Sequence, residues 1–226
     1  MVLDAADSQA TNFRDALAQL CEIYWYPLYA FVRRRGYDPA RAEDLLQGFF
    51  TRLLDKSDLK MADPSRGRFR AFLLTALKNY IANQHDYERA LKRGGGAVVM
   101  PLDFDNGEQR YSFEPVDDRT PEEVYERRWA LTHLENTLGL LREEMSGQGQ
   151  ADRFDTLQGY LTGSSREPSY QEAAATLGLS EGAVRVAVHR MRKRFGGLLR
   201  QEVGRTLAQP TDVDGEIRHL LEVVGK

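Results

Sequence analysis

The sequence has one cysteine, no apolar run long enough to cross a bilayer and no useful stretch of strand-like alternation. Cys21 alone excludes a disulfide framework and a cysteine-rich zinc site. It falls on an apolar helical face and reads as a buried, inert thiol. No segment approaches the roughly 20 apolar residues of a membrane span. Residues 1–13, MVLDAADSQATNF, lack the basic start and apolar centre of a secretory signal, so a soluble, cytoplasmic chain is expected. The four histidines, His85, His133, His189 and His219, are scattered. The His85-Asp86 pair has no third ligand at a suitable spacing, so no metal and no cofactor is expected. Gly94-Gly95-Gly96 lacks the strand before and the helix after that a phosphate loop requires. Glu43 and Asp44 are adjacent, point to different parts of a helix surface and have no histidine nearby, which argues against paired-carboxylate catalysis. The chain is not expected to be an enzyme.

A strong overall charge is also missing: the formal net charge is −3. The average conceals segregation. Arg66 to Arg93 holds seven Lys or Arg against Asp86 and Glu88, an excess of +5. Asp103 to Glu126 holds nine acids against Arg110 and Arg119, an excess of −7. Arg185 to Arg205 holds seven basic residues against Glu202, an excess of +6. Two basic stretches thus flank an acidic one, which reads as a flexible linker between two domains.

Helical periodicity runs through most of the chain, and the expected fold is all-α, with two small helical domains. Phe13, Leu17, Leu20, Tyr24, Leu28 and Phe31 mark a first helix, which Pro27 is expected to kink or split and Gly36 to end. Ala42, Leu45, Leu46, Phe49 and Leu53 form one side of a second helix starting near Pro39. Its other side carries Glu43, Asp44, Gln47, Gly48 and Thr51, which a plain solvated surface would also explain. A third helix from about Arg68 presents Phe69, Phe72, Leu73, Ala76 and Tyr80. Lys78, His85, Arg89 and Lys92 line another side of it, suited to a DNA backbone and to stacking on unpaired bases. A merely soluble face would look the same. Beyond the linker, Val124, Leu131, Leu134, Leu138 and Leu141 form one stripe, and Phe154, Leu157 and Leu161 another. Residues 169–195, SYQEAAATLGLSEGAVRVAVHRMRKRF, then read as a helix-turn-helix. Tyr170, Ala173, Ala174 and Leu177 share one face, Gly178 suits a left-handed C-terminus, and Ser180 and Glu181 suit the next helix start. Val184, Val188, Met191 and Phe195 form its buried stripe, leaving Arg185, His189, Arg190, Arg192 and Lys193 outside. Such a helix fits a major groove, although an αα-corner with a solvated basic face shares the pattern. The segment past Pro210, with Val213, Ile217, Leu220 and Val224, reads as a short amphipathic helix that packs on the second domain or regulates it.

Three stretches in this order, RAEDLLQGFFTRLL (41–54), FRAFLLTALKNYIANQHDYERALKR (69–93) and the helix-turn-helix, resemble bacterial RNA polymerase sigma factors of the two-domain extracytoplasmic-function type. The resemblance implies sigma domain two at 10–93, an acidic linker at 94–120, sigma domain four at 121–206 and a tail at 207–226. It implies promoter recognition and opening, with core RNA polymerase and promoter DNA as partners and a monomer when free. Glu43, Asp44, Gln47 and Thr51 would bind polymerase. Residues 56–67 and the start of the next helix would hold a flipped-out base of the minus-ten element. Lys78, Asn79, Asn83, Arg89 and Lys92 would track the opened strand. Ser180, Glu181, Arg185, His189, Arg192 and Lys193 would contact the minus-thirty-five element.

The sequence departs from this family at Arg41 and Gly48, where acids are common, so the docking arc is less negative. Phosphorylation by a Ser/Thr kinase at Thr51, Ser57 or Ser65 would restore charge; an anti-sigma factor is the other regulator the resemblance leaves open. A stand-alone helix-turn-helix regulator is the main alternative. It gives the Glu43–Gln47 arc and the Lys78–Lys92 stripe no task, and it ordinarily needs a dimer.

Overall fold

In a computed structural model, the described residues are 13–54, 68–90, 104–114, 117–163, 167–207 and 212–225. Among them the fold is all-α, without strands. The chain divides into two compact units, Met1–Thr132 with Gly204–Lys226, and His133–Val203. The acidic stretch was the expected boundary; the division instead falls inside a helix, after Thr132.

In the first unit, α1 (Phe13–Arg34) runs unbroken through Pro27, where a split was one expected outcome. Gly36 ends it with φ +90°, a conformation that penalises any residue with a Cβ. Then α2 (Pro39–Leu54) opens on Asp38, whose Oδ1 accepts from the Arg41 backbone N–H at 2.9 Å. Helix α3 spans Phe69–Ala90. Leu20, Tyr24, Leu28 and Phe31 of α1 are buried, as are Ala42, Leu45, Leu46, Phe49 and Leu53 of α2 and Phe69, Leu73, Leu77, Tyr80 and Ile81 of α3. Each large apolar side chain so placed contributes about 1.5–3 kcal/mol.

The acidic stretch contains a helix, α4 (Phe104–Ser112), which corrects the expectation of a flexible linker. The physical reason is its docking on α1. Glu108 accepts from Arg33 Nε and Nη2, both at 2.9 Å, and from the Tyr29 hydroxyl at 2.6 Å. Gly107 lies so close to Trp25 that a Cβ would stand 2.8 Å from the indole. Arg110 stacks 3.9 Å over the Tyr26 ring. The next helix, α5 (Pro121–Gly147), begins with a capping box: Thr120 and Glu123 exchange hydrogen bonds at 2.8 and 3.3 Å. Its Tyr125 and Trp129 are completely buried in this unit. The tail is also helical, α10 (Val213–Val224), and its residues contact the start of α3 and the first turns of α5.

The second unit holds the rest of α5, α6 (Ala151–Leu157), the single turn α7 (Gly159–Thr162), α8 (Tyr170–Leu177) and α9 (Glu181–Arg205) up to Val203. Leu141, Phe154, Leu157, Tyr160, Ala173, Ala174, Val184, Val188, Met191 and Leu198 form its core. Along α5 the stripe read from the sequence is only partly right. Val124 and Leu141 are buried, whereas Thr132, His133 and Thr137 are buried in place of fully burying Leu131, Leu134 and Leu138. The Thr137 hydroxyl satisfies itself on the His133 carbonyl at 2.7 Å, which lowers the cost of its burial.

Candidate nucleic-acid interface

On α2 the polar arc is present. Glu43 and Asp44 are exposed, and Gln47 and Thr51 are half-buried. The Thr51 hydroxyl donates to the Gln47 carbonyl at 2.7 Å, so it is turned back along its own helix. Ser57 and Ser65 lie outside the described residues. Gly48 is explained by packing: a Cβ there would stand 2.1 Å from the Tyr80 hydroxyl of α3. Tyr80 is buried, and its hydroxyl accepts from Gln84 Nε2 at 2.8 Å. The helix-interior glycine, unfavourable by about 1 kcal/mol against alanine, was the visible signal of this close approach.

On α3, Asn79 and Asn83 are exposed on the helix surface. Lys78, expected to meet DNA, pairs with Glu122 in the first turn of α5 at 2.6 Å. Its hydrogen bond holds the Glu122 carboxyl below its ordinary pKa. Both side chains are well exposed, so the pair adds little stability. Arg89 lies within α3, its side chain among those not described, and Lys92 lies outside the described residues. Arg70 in the first turn of α3 and Arg68 just before it were not singled out individually. Their partners, Glu126 and Glu216, come from α5 and α10, distances in sequence that no local pattern reveals.

The helix pair α8 and α9, read from the sequence as a helix-turn-helix, is firmly capped. Ser169 and Glu172 form a complete capping box at the start of α8. Gly178, with φ +64°, closes that helix on the carbonyls of Ala174 and Ala175. Ser180 is the cap of α9, its hydroxyl accepting from the Ala183 N–H at 3.3 Å. Val184, Val188 and Met191 are buried, and Glu181, Arg185, His189, Arg190 and Lys193 are exposed. Arg185 stacks 4.2 Å over the Tyr170 ring. Arg192, expected to contact DNA, donates from Nε and Nη2 to the Tyr160 carbonyl at 3.2 and 2.9 Å. That carbonyl belongs to the short α7, whose last turn leaves acceptors without intrahelical partners. Arg194 likewise holds Glu144 of α5, with contacts of 2.6 to 2.9 Å. Arg185, Arg190, Arg192, Lys193 and Arg194 are all exposed, beside His189, with Arg192 and Arg194 also bonded within the unit; Arg190 was read on this face but not chosen as a DNA contact.

No described helix is long and apolar enough to cross a membrane. No curated protein and no solved structure matches the chain. Residues 24–90, from Tyr24 in α1 to the last residue of α3, match the Sigma-70 region 2 family. The Glu43–Thr51 arc and the exposed asparagines of α3 lie inside the matched span, which supports a sigma-factor role in RNA polymerase binding and promoter recognition.

Proposed function

We propose that this chain is a sigma factor of the small, two-domain extracytoplasmic-function type, acting in the cytoplasm and monomeric when free. The observation that carries the reading is the Sigma-70 region 2 match over α1, α2 and α3. The capped helix-turn-helix of the second unit, with its exposed Arg185, His189, Arg190 and Lys193, supports a second promoter contact.

In this reading Glu43, Asp44 and Gln47 bind core polymerase. The α3 surface at Asn79 and Asn83, with Arg89 and Lys92, receives the opened minus-ten strand. Unstacking a base costs a few kcal/mol, which a pocket and stacking surface offset. Helix α9 enters the major groove of the minus-thirty-five element, where cations position on phosphates and a few side chains read base edges. Polymerase presents both elements at fixed spacing, so modest separate affinities suffice. The chain itself performs no catalysis.

The test is co-purification with core RNA polymerase and transcription from a promoter by the reconstituted enzyme. Wild type is expected to be retained and to direct initiation, and a Glu43→Ala, Asp44→Ala double variant to lose retention. Specific operator binding without polymerase, with no retention, would instead establish the stand-alone helix-turn-helix regulator. For control we propose a docking arc supplemented by phosphorylation at Thr51, Ser57 or Ser65, by a Ser/Thr kinase, with an anti-sigma factor as the alternative regulator. Polymerase binding by unmodified protein as tight as by the phosphorylated form would overturn the supplement.

A further inference from the structure

The densest buried charge in the first unit joins α10 to the start of α3. Glu216 of α10 is 2 % exposed. Its carboxylate meets Arg68 Nε at 3.0 Å and Arg70 Nη1. Arg70, 4 % exposed, also holds Glu126 Oε2 at 2.8 Å and lies 4.4 Å over the Trp129 ring. Asp212, just before α10, stands 3.9 Å from Arg68 Nε. His219 of α10 meets Glu126 at 3.0 Å, and Leu220 is fully buried. At the other end, Arg127 Nη1 donates to the Val224 carbonyl at 3.1 Å, placing a cation where a helix leaves acceptors open.

A buried carboxylate between guanidinium groups adds little net stability, because desolvation cancels most of the Coulomb gain and an apolar side chain would serve as well. What the acid does, and leucine could not, is occupy Arg68 and Arg70 as a phosphate oxygen would. Both arginines belong to the basic run from Arg66 to Arg93. We propose that α10 is an autoinhibitory clasp. Glu216 and Asp212 take the place of nucleic-acid phosphates at the start of α3, and release of α10 hands Arg68 to the opened promoter strand. Arg70 keeps Glu126 after release, so Arg68 is the larger gain. The clasp rests on the proposed role of α3 in holding opened DNA.

The test uses the full chain and a fluorescein-labelled single-stranded oligonucleotide, titrated at several salt concentrations. Glu216→Gln removes the charge and keeps the bulk. It is expected to bind about fivefold tighter at low salt, with a salt slope steeper by roughly 0.7, one added phosphate contact. Leu220→Asp undocks the helix; loss of amide-exchange protection in α10 is expected together with the same gain. Adding Arg68→Gln to either variant is expected to remove the gain. Unchanged affinity in Glu216→Gln, or a gain that survives Arg68→Gln, overturns the clasp, even if Leu220→Asp fails to fold. Retention of wild type on core polymerase is scored in parallel. Its absence overturns the sigma-factor reading and the clasp with it, whereas retention with unchanged Glu216→Gln affinity overturns the clasp alone.

Discussion

At position 48 the side chain of α3 decides what α2 can carry. An acid there would restore charge to the docking arc, yet the Tyr80 hydroxyl fills the space where its Cβ would sit, 2.1 Å away. Glycine is therefore coupled to tyrosine, and the less negative arc follows from packing. Gly48→Ala is expected to be neutral to destabilising by about 2 kcal/mol, since overpacking costs roughly 1–3 kcal/mol against a helix-propensity gain of about 1 kcal/mol. In a Tyr80→Phe background the nearest remaining ring atom is Cζ at 3.2 Å. There the same substitution is expected to fall within about 1 kcal/mol of neutral and on the stabilising side of its effect in wild type. Thermal unfolding of the four proteins measures this; strictly additive effects would sink the coupling.

Among the elements, the α8–α9 pair was the more legible part and α4 the less. Val184, Val188 and Met191 step at helical spacing, and Gly178 and Ser180 are local signals whose partners lie within a few residues. Local chemistry of that kind can be read from a sequence. Helix α4 depends on Tyr29 and Arg33, separated from Glu108 by 79 and 75 residues, so its charge alone suggested a solvated linker. The same distance hid the pairs Lys78–Glu122 and Arg70–Glu216. Burial by itself would raise the Glu108 carboxyl, but hydrogen bonds from Arg33 and Tyr29 outweigh it and hold its pKa below the ordinary value. A depressed carboxyl contributes stability that is full above the unfolded pKa, about 4.3 for Glu, and that is lost as pH falls through the lower folded value. Amide protection in α4 is thus expected to persist at neutral pH and fail in this acid range. In Glu108→Gln it should be weaker at neutral pH and lack this acid transition. A wild-type acid profile identical to that of the variant would refute the docking role. Ser169→Ala tests the other element: losing the cap of α8 is expected to cost about 1 kcal/mol in thermal unfolding.

Over the whole molecule, a net charge of −3 coexists with two basic stretches because the acidic stretch from Asp103 to Glu126 offsets them, and part of the opposite charge pairs within each unit. Arg33 pairs with Glu108, Arg68 and Arg70 with Glu216 while α10 is docked, and Arg194 with Glu144, so a count of basic residues overstates what is free to meet DNA in this state. On α9 this separates side chains that the sequence grouped together. Arg190, Arg192 and Lys193 are all exposed, but Arg192 also donates to the Tyr160 carbonyl. With a minus-thirty-five duplex and the polymerase-bound protein, Lys193→Ala and Arg190→Ala are each expected to reduce the slope of log affinity against log salt. The reduction is roughly 0.9, one phosphate contact, with thermal stability unchanged. Arg192→Ala should leave that slope nearly unaltered and instead lower thermal stability by about 1–3 kcal/mol, because it uncovers a helix-terminal carbonyl. A slope change at Arg192 equal to that at Lys193 would mean that the guanidinium leaves Tyr160 for the phosphates on binding, and the division drawn here between folding and reading residues would fall.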